Sequence, residues 1–306
     1  MRIIHTRKRI FQKDSGLSNK FNLLVWILSV LNWKYYGNEV ILYCDNKTLT
    51  DIKKIGFDYL YDEINTTLLE DKKLSEGIDF LMYWAMPKLL ALRYEVVDLG
   101  NDCVISDQDV VPMSDVSRLW TNSDIAVWSN KEFVNVRTVY PKLKDLSLPK
   151  NYLLPRWFTG IAKPLNTGII HIKDKEIVDL YTSEALKMAR YNTNNNENSV
   201  CQTMCNAEQR MLGEIVKYKK LSYSVMQPIN QGLFNKNGFH THGYKVSIRN
   251  TSSVGLWNLN LLLMIKEKDN KMFNTLINKP YFKIEKEYFE KNGYKCDKIK
   301  ELTIYY

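Results

Sequence analysis

Long hydrophobic runs are missing from this sequence, and cysteine is scarce. The longest apolar run, residues 23–31, is interrupted by Ser29 and is far shorter than the ~20 residues that cross a bilayer. We therefore expect no transmembrane segment. Five cysteines in 306 residues, an odd number at unrelated spacings, favour reduced thiols over a disulfide framework. No signal-peptide pattern opens the chain, so the expected location is cytoplasmic.

Glycine-rich and nucleic-acid recognition motifs are also missing. No G-x-G-x-x-G fingerprint follows a predicted strand, which argues against a dinucleotide cofactor. A composition of 45% hydrophobic and 25% charged residues is typical of a globular protein. A chain of this length suits one large domain with a smaller appendage, and we place the division between residues 1–250 and residues 251–306.

The net charge of +9 is concentrated at the two ends of the chain. Residues 1–20 contain six basic residues and one acidic residue, and residues 266–306 contain ten and seven. Such ends can contact nucleic acid, a phosphorylated substrate or, peripherally, an anionic membrane surface. They are equally well explained as solvated lysines, so charge alone does not choose a partner.

Strands alternate with helices over about the first 110 residues. The pattern predicts strands at residues 2–6, Glu39–Cys44 and Cys103–Ser106, separated by helices that include a long one over residues 75–95. Ser75 is the candidate N-cap of that helix. This alternation is typical of an α/β fold with a Rossmann-like sheet.

Two carboxylates follow the buried strand Cys103–Ser106. Asp107 and Asp109 lie two residues apart, at the end of a strand where open α/β sheets bind ligands. Hard cations such as Mg²⁺ and Mn²⁺ prefer oxygen ligands. The alternative is a capped turn without a metal, because Asp is common in turns.

A second group of polar residues comes late in the chain. His240 and His242 are two of only four histidines, and Gly243 and Lys245 follow them. A neutral imidazole can complete a manganese site, and a lysine can neutralise a phosphate. A structural or surface histidine pair explains the same spacing.

Four short motifs resemble the landmarks of GT-A-fold glycosyltransferases. They occur in the family's order: VISDQDVVP at residues 104–112, PLNTGIIHI at 164–172, AEQRML at 207–212 and HTHGYK at 240–245. They are most similar to retaining enzymes of the glycogenin and bacterial lipopolysaccharide galactosyl- and glucosyltransferase kind. The resemblance implies a mixed sheet flanked by helices, and it covers residues 1–250, which leaves residues 251–306 as a small helical appendage.

The resemblance implies metal ligands and sugar-facing residues. Asp107, Asp109 and His240 would hold Mn²⁺ (or Mg²⁺), with Asp107 also near the nucleotide ribose. Asn166 and Gly168 would border the donor sugar.

Further roles follow from the same resemblance. Gln209, or Glu208 beside it, would lie near the anomeric carbon. Lys245 and Lys88 would face the diphosphate and nucleotide, and His5 and Thr6 would lie near the base. Two departures keep alternatives open: the late motif reads G-x-K with an additional His242, and the helix pair reads Glu-Gln where the family has Asp-Gln.

The expected activity is transfer of a hexose from a nucleotide diphosphate sugar, such as a UDP-sugar, to a hydroxyl group. The acceptor is expected to be a glycan of the lipopolysaccharide type. One alternative is a viral-type enzyme that glycosylates modified bases in DNA, which would require an exposed base. Alternatives of other classes are a non-catalytic nucleic-acid-binding protein and a metal-dependent phosphodiesterase or nuclease.

Overall fold

The structure is a computed structural model of the chain. It describes residues 1–9, 19–80, 83–130, 152–191, 204–227, 237–241 and 251–294.

Strands and helices alternate along the described residues. The strands are β1 Arg2–Arg7, β2 Glu39–Cys44, β3 Glu63–Asn65, β4 Cys103–Ser106, β5 Val110–Pro112, β6 Ile125–Ser129, β7 Asn166–Ile172, β8 Tyr223–Val225 and β9 Gly238–His240. The helices are α1 Lys20–Tyr35, α2 Asn46–Ile55, α3 Thr67–Glu70, α4 Lys72–Ser75, α5 Met86–Arg93, α6 Arg118–Thr121, α7 Lys175–Tyr191, α8 Met211–Lys219, α9 Thr251–Lys268, α10 Asn270–Ile277 and α11 Lys283–Asn292. A π-helical turn, Tyr94–Asp98, follows α5, and another, Asn206–Arg210, precedes α8. Short 3₁₀ turns occur at Asp58–Leu60 and Pro280–Phe282.

The main sheet has the strand order β3-β2-β1-β4-β7-β6-β8 in the described part of the chain. Strands β1 to β4 are parallel, whereas β7 runs antiparallel to both β4 and β6. Strands β5 and β9 form a separate antiparallel pair. The expected α/β fold class, a mixed sheet flanked by helices, is confirmed.

Strand alternation divides the core between the two faces of the sheet. Successive side chains of a strand point to opposite faces. Ile3 and Val104 therefore join the core under α1 and α9, whereas Ile4 and Ile105 join the core under α5, α7 and α8. Both faces are covered, which explains why successive residues such as Ile3 and Ile4, or Val104 and Ile105, are all apolar.

Local signals set several helix ends. The Asn19 side chain accepts a hydrogen bond from the backbone N–H of Phe21 and caps α1, and Asp45 caps α2 in the same way through Thr48. Gly56 ends α2 with a φ of 93°, in the left-handed region that favours glycine.

The helix expected over residues 75–95 is shorter than predicted. Ser75 is the last residue of α4 and not an N-cap, and the next described helix begins at Met86. Pro87 occupies its first turn, where the ring fixes a helical φ and the missing N–H costs no hydrogen bond. The proline thus starts α5 and does not interrupt a longer helix.

The C-terminal helices pack on the rest of the chain. Helix α9 lies against α1, and Leu262 and Phe273 belong to the same buried cluster as Ile3. The division at residue 250 stays a prediction. Among the helices of the described ranges, none has the length and apolarity of a membrane span.

We expect Leu262→Ala to lower the free energy of unfolding by about 2–5 kcal/mol, because this side chain is fully buried between helices and sheet. Denaturant unfolding followed by tryptophan fluorescence measures the change. Ile284→Ala is the control: that side chain is 73% exposed, so its loss is expected to cost less than about 1 kcal/mol. Equal effects of the two variants would show that the C-terminal helices do not share the core.

Candidate functional site

Asp107 and Asp109 lie in a tight turn that leaves the carboxyl end of β4. The backbone N–H of Asp107 donates to the carbonyl of Gly168 (2.8 Å), and the N–H of Val110 donates back to the carbonyl of Asp107 (3.1 Å). The turn is thereby held against β7 on one side and leads into β5 on the other. Both carboxylates remain partly exposed, at the sheet edge where ligands bind.

Pairing of β5 with β9 brings His240 to these carboxylates. Val110 and His240 are direct partners in the ladder. The His240 Nε2 atom lies 3.2 Å from Asp109 Oδ1 and 3.7 Å from Asp107 Oδ2. One ligand atom from each of the three residues lies within 4.8 Å of the other two. The structure therefore brings together the three residues that the sequence analysis grouped as metal ligands.

The donor set of this cluster fits a divalent cation. Two carboxylates and one imidazole suit Mn²⁺ or Mg²⁺, and the carboxylates are accessible whereas the imidazole is 96% buried. Removal from bulk water raises the pKa of Asp107, and the charges of Asp109 and Glu208 add to this, while Lys88 and His240 act in the opposite direction. A cation relieves such crowding of negative charge.

Gly168 lies directly beneath the His240 ring. A Cβ atom at this position would lie 2.6 Å from His240 Cε1 and 2.7 Å from Nδ1. The ring also meets Trp128 edge to face, with the centroids 5.3 Å apart. Gly168 thus leaves room for the imidazole of His240. This is a role at the candidate metal cluster, in addition to the expected place of Gly168 beside the donor sugar.

Lys88 connects the cluster to the helices behind it. Its buried ammonium donates to Asp107 Oδ1 (3.1 Å) and to the carbonyl of Thr167 (3.1 Å), and it forms an ion pair with Glu208. Burial lowers the pKa of Lys88, but the charges of Asp107 and Glu208 more than compensate and hold it above the ordinary value. Since an ammonium has three donors, these partners occupy all of them.

Glu208 and Gln209 face different surroundings. They belong to the π-helical turn Asn206–Arg210, and such turns often occur at functional sites. Glu208 is 3% exposed and accepts from the Thr167 hydroxyl at 2.6 Å as well as from Lys88. Gln209 is the one partly exposed residue of this turn, so Gln209 is the residue of the pair that keeps contact with solvent.

Asn166 and Thr6 border the cluster through backbone contacts. The Asn166 side chain is buried and accepts from the N–H of Gly168 at 2.9 Å. The carbonyl of Thr6 accepts from the Gln108 side chain at 2.9 Å. Gln108 thereby ties the Asp107–Asp109 turn to the end of β1.

The structure places His5 inside the core. Its ring has no exposed surface, and its Nδ1 and Nε2 atoms lie 3.2 Å from the Tyr61 hydroxyl and 3.4 Å from the Ser29 hydroxyl. Burial lowers the pKa of His5 to about 3, although Asp109 acts in the opposite direction. A neutral, enclosed imidazole supports the turn from below and does not present a face to a nucleotide base.

Some site residues were missed by the sequence analysis, and some predicted ones cannot be placed. Gln108 binds the carbonyl of Thr6, and Thr167 binds Lys88 and Glu208 beside the cluster. The residue types and spacing of Gln108 and Thr167 carry no signal that distinguishes them from other strand ends. His242 and Lys245 lie outside the described residues.

Residues 1–254 match DUF6734, a family of unknown function. The chain belongs to this family. Among curated proteins, none matches the chain.

Several solved structures are similar to this member of DUF6734. Mouse xyloside xylosyltransferase 1 in its apo form has 12% sequence identity and a TM-score of 0.40, with 74% of this chain and 84% of the other covered. Galactosyltransferase LgtC, in complex with donor and acceptor sugar analogues, has 8% identity and a TM-score of 0.36, with 68% and 70% covered. A fragment of TarS from S. aureus has 11% identity and a TM-score of 0.33, with 98% and 77% covered.

We expect Gly168→Ala to weaken Mn²⁺ binding at least about tenfold, because the added methyl group displaces the His240 ring from the carboxylates. Isothermal titration with MnCl₂ measures the affinity. Gly100→Ala is the control, since a methyl group there meets no atom within 4 Å and the strain at its positive φ affects stability only. Unchanged Mn²⁺ affinity in Gly168→Ala would contradict a role of His240 as a ligand.

Proposed function

We propose that this protein is a metal-dependent glycosyltransferase of the GT-A type, which transfers a hexose from a nucleotide diphosphate sugar to a hydroxyl group. The observation that carries the proposal is the cluster of Asp107, Asp109 and His240 at the carboxyl end of β4. The order of its four sequence motifs, which resembles that of retaining GT-A enzymes, supports the same activity.

The cluster supplies what the reaction needs at the leaving group. As the bond between the sugar carbon and the phosphate oxygen breaks, negative charge grows on the diphosphate, and a divalent cation held by this chain would stabilise that charge. Asp107, Asp109 and His240 would hold the cation. Lys88 acts as a positioning residue in this proposal, because its donors are bound to Asp107, Thr167 and Glu208 and none is directed to a phosphate.

Glu208 and Gln209 of the π-helical turn have different proposed roles, the first structural and the second in the reaction. Glu208 neutralises the buried Lys88 and is therefore poorly placed to attack the sugar as a nucleophile. Gln209 is accessible, and its amide would contact the sugar near the anomeric carbon. Without a carboxylate nucleophile, we propose retention by attack on the same face, with a leaving phosphate oxygen as the base.

We propose a glycan as the acceptor. The DNA alternative needs free basic residues near the N-terminus, but those of the described segment have intramolecular partners. Lys8 donates to the carbonyl of Leu69, and Arg9 forms an ion pair with Asp51 at 3.0 Å. These contacts favour a structural role for the basic residues that follow the first strand.

Hydrolysis of UDP-hexoses with and without Mn²⁺ tests the activity. We expect Asp109→Asn to lose at least about 100-fold of the hydrolysis rate and to bind Mn²⁺ more weakly, since a charged ligand is removed at constant volume. The Asn side chain still accepts the hydrogen bond that the Thr241 hydroxyl donates to Asp109 (3.2 Å), so the fold is retained. Asp98→Asn, a change at an exposed residue, is the control. Full activity of Asp109→Asn at saturating Mn²⁺ would refute the metal site.

Alanine at the two residues of the π-helical turn separates their roles. We expect Glu208→Ala to destabilise the fold by about 3–5 kcal/mol, because it leaves Lys88 buried with less compensation. Gln209→Ala is expected to leave the unfolding midpoint nearly unchanged and to lower donor hydrolysis about 100-fold, as for loss of one transition-state donor. Denaturant unfolding and the hydrolysis assay measure both effects. The reverse pattern would assign the sugar contact to Glu208.

A further inference from the structure

A cavity opens at the amino end of β4, opposite to the end that carries Asp107. It has a volume of about 670 Å³ and is lined by the end of α1, the segment before β4, the segment around α6 and the end of β7. Asp102 precedes β4 and lines this cavity, whereas Asp107 follows β4. Five residues of extended chain span ~16 Å, so the cavity is separate from the metal cluster.

A buried histidine and an exposed carboxylate form one wall. The Nε2–H of His171 donates to Asp102 Oδ1 at 2.9 Å, since a carboxylate can only accept. Burial lowers the pKa of His171 in spite of Asp102, which leaves Nδ1 of the neutral ring as an acceptor. This atom has no hydrogen-bond partner within the described residues. Asp102 is 68% exposed and retains a second oxygen for a ligand.

A second carboxylate and an aromatic group complete the polar part. Asp115 accepts from the backbone N–H of Ser117 at 2.8 Å, and this bond lowers the pKa of Asp115, which keeps the side chain ionised. Tyr36 lines the same cavity. Burial, and to a smaller extent the nearby Tyr35 and Asp115, raise the pKa of Tyr36. The lining ammonium of Lys173 is already bound to the carbonyl of Thr121 at 2.8 Å.

Largely buried aromatic rings form the floor, with 1% of Trp33 and 5% of Trp120 exposed. Trp120 lies between Trp33 and His171, with centroids at 6.4 Å and 5.8 Å. The cavity therefore combines apolar rings with hydrogen-bond acceptors and little available positive charge. Carboxylates accept from hydroxyl groups, and aromatic rings pack against the C–H faces of a pyranose.

We propose that this cavity is a second, non-catalytic binding site for a neutral saccharide unit, held by Asp102, Asp115 and the aromatic floor. It goes beyond the proposed transfer reaction and does not depend on it. A site at this distance from the metal cluster would hold a distal unit of a glycan or a separate sugar.

Saturation-transfer NMR and isothermal titration with methyl glucoside, galactoside and xyloside test the proposal. The measurements use the full chain with EDTA and without nucleotide, so that the metal cluster does not contribute. We expect at least one glycoside to bind. Asp102→Ala is expected to weaken binding about tenfold or more through loss of charged acceptors. Thr121→Trp, a change at an exposed lining residue, is expected to abolish binding by filling the cavity.

Three controls make the outcome decisive. Asp98→Ala, at an exposed residue outside the lining, and Asp109→Asn, in the metal cluster, should bind the glycoside as the unaltered chain does. Donor hydrolysis should be unchanged in Asp102→Ala, so that a failure here is distinct from a failure of the transferase proposal. Absence of glycoside binding, binding that persists in Thr121→Trp, or binding of tetramethylammonium in place of glycosides would overturn the proposal.

Discussion

Burial of one positive charge, that of Lys88, organises the centre of this molecule. An ammonium removed from water is costly unless opposite charges and hydrogen bonds surround it. Asp107, Glu208 and the carbonyl of Thr167 provide that compensation. Asp107 follows β4, Glu208 lies in the π-helical turn and Thr167 lies in β7, whereas Lys88 itself belongs to α5. Compensation of this one charge therefore fixes four separate elements relative to one another.

The metal cluster is built on this arrangement. Lys88 donates to Asp107 Oδ1 at 3.1 Å and to Oδ2 at 3.4 Å, and Oδ2 also lies 3.7 Å from His240 Nε2. The short pairing of β5 with β9 then delivers the imidazole, and Gly168 leaves space for its ring. A ligand set preorganised in this way loses little conformational freedom when a cation binds.

Polar side chains lie at both ends of strand β4. At its carboxyl end the chain presents the acidic turn, and at its amino end Asp102 pairs with the buried His171 of the antiparallel neighbour β7. Because β7 runs antiparallel to β4, the end of β7 lies beside the start of β4. This pair of strands therefore places polar side chains at both of its ends.

Much of the fold was predictable from the sequence by itself, because strand alternation, helix caps and glycine or proline stops are local signals. The positions of β2 and β4 and the acidic turn after β4 belong to this group. The family resemblance of the sequence already grouped His240 with the two aspartates, and the tertiary structure brings the three together. The tertiary structure alone decided that Lys88 is enclosed, that His5 lies in the core, and that Gln209 and not Glu208 is accessible. Each of these depends on contacts between residues far apart in the chain, and no local pattern records which side chain will be desolvated when distant elements pack together.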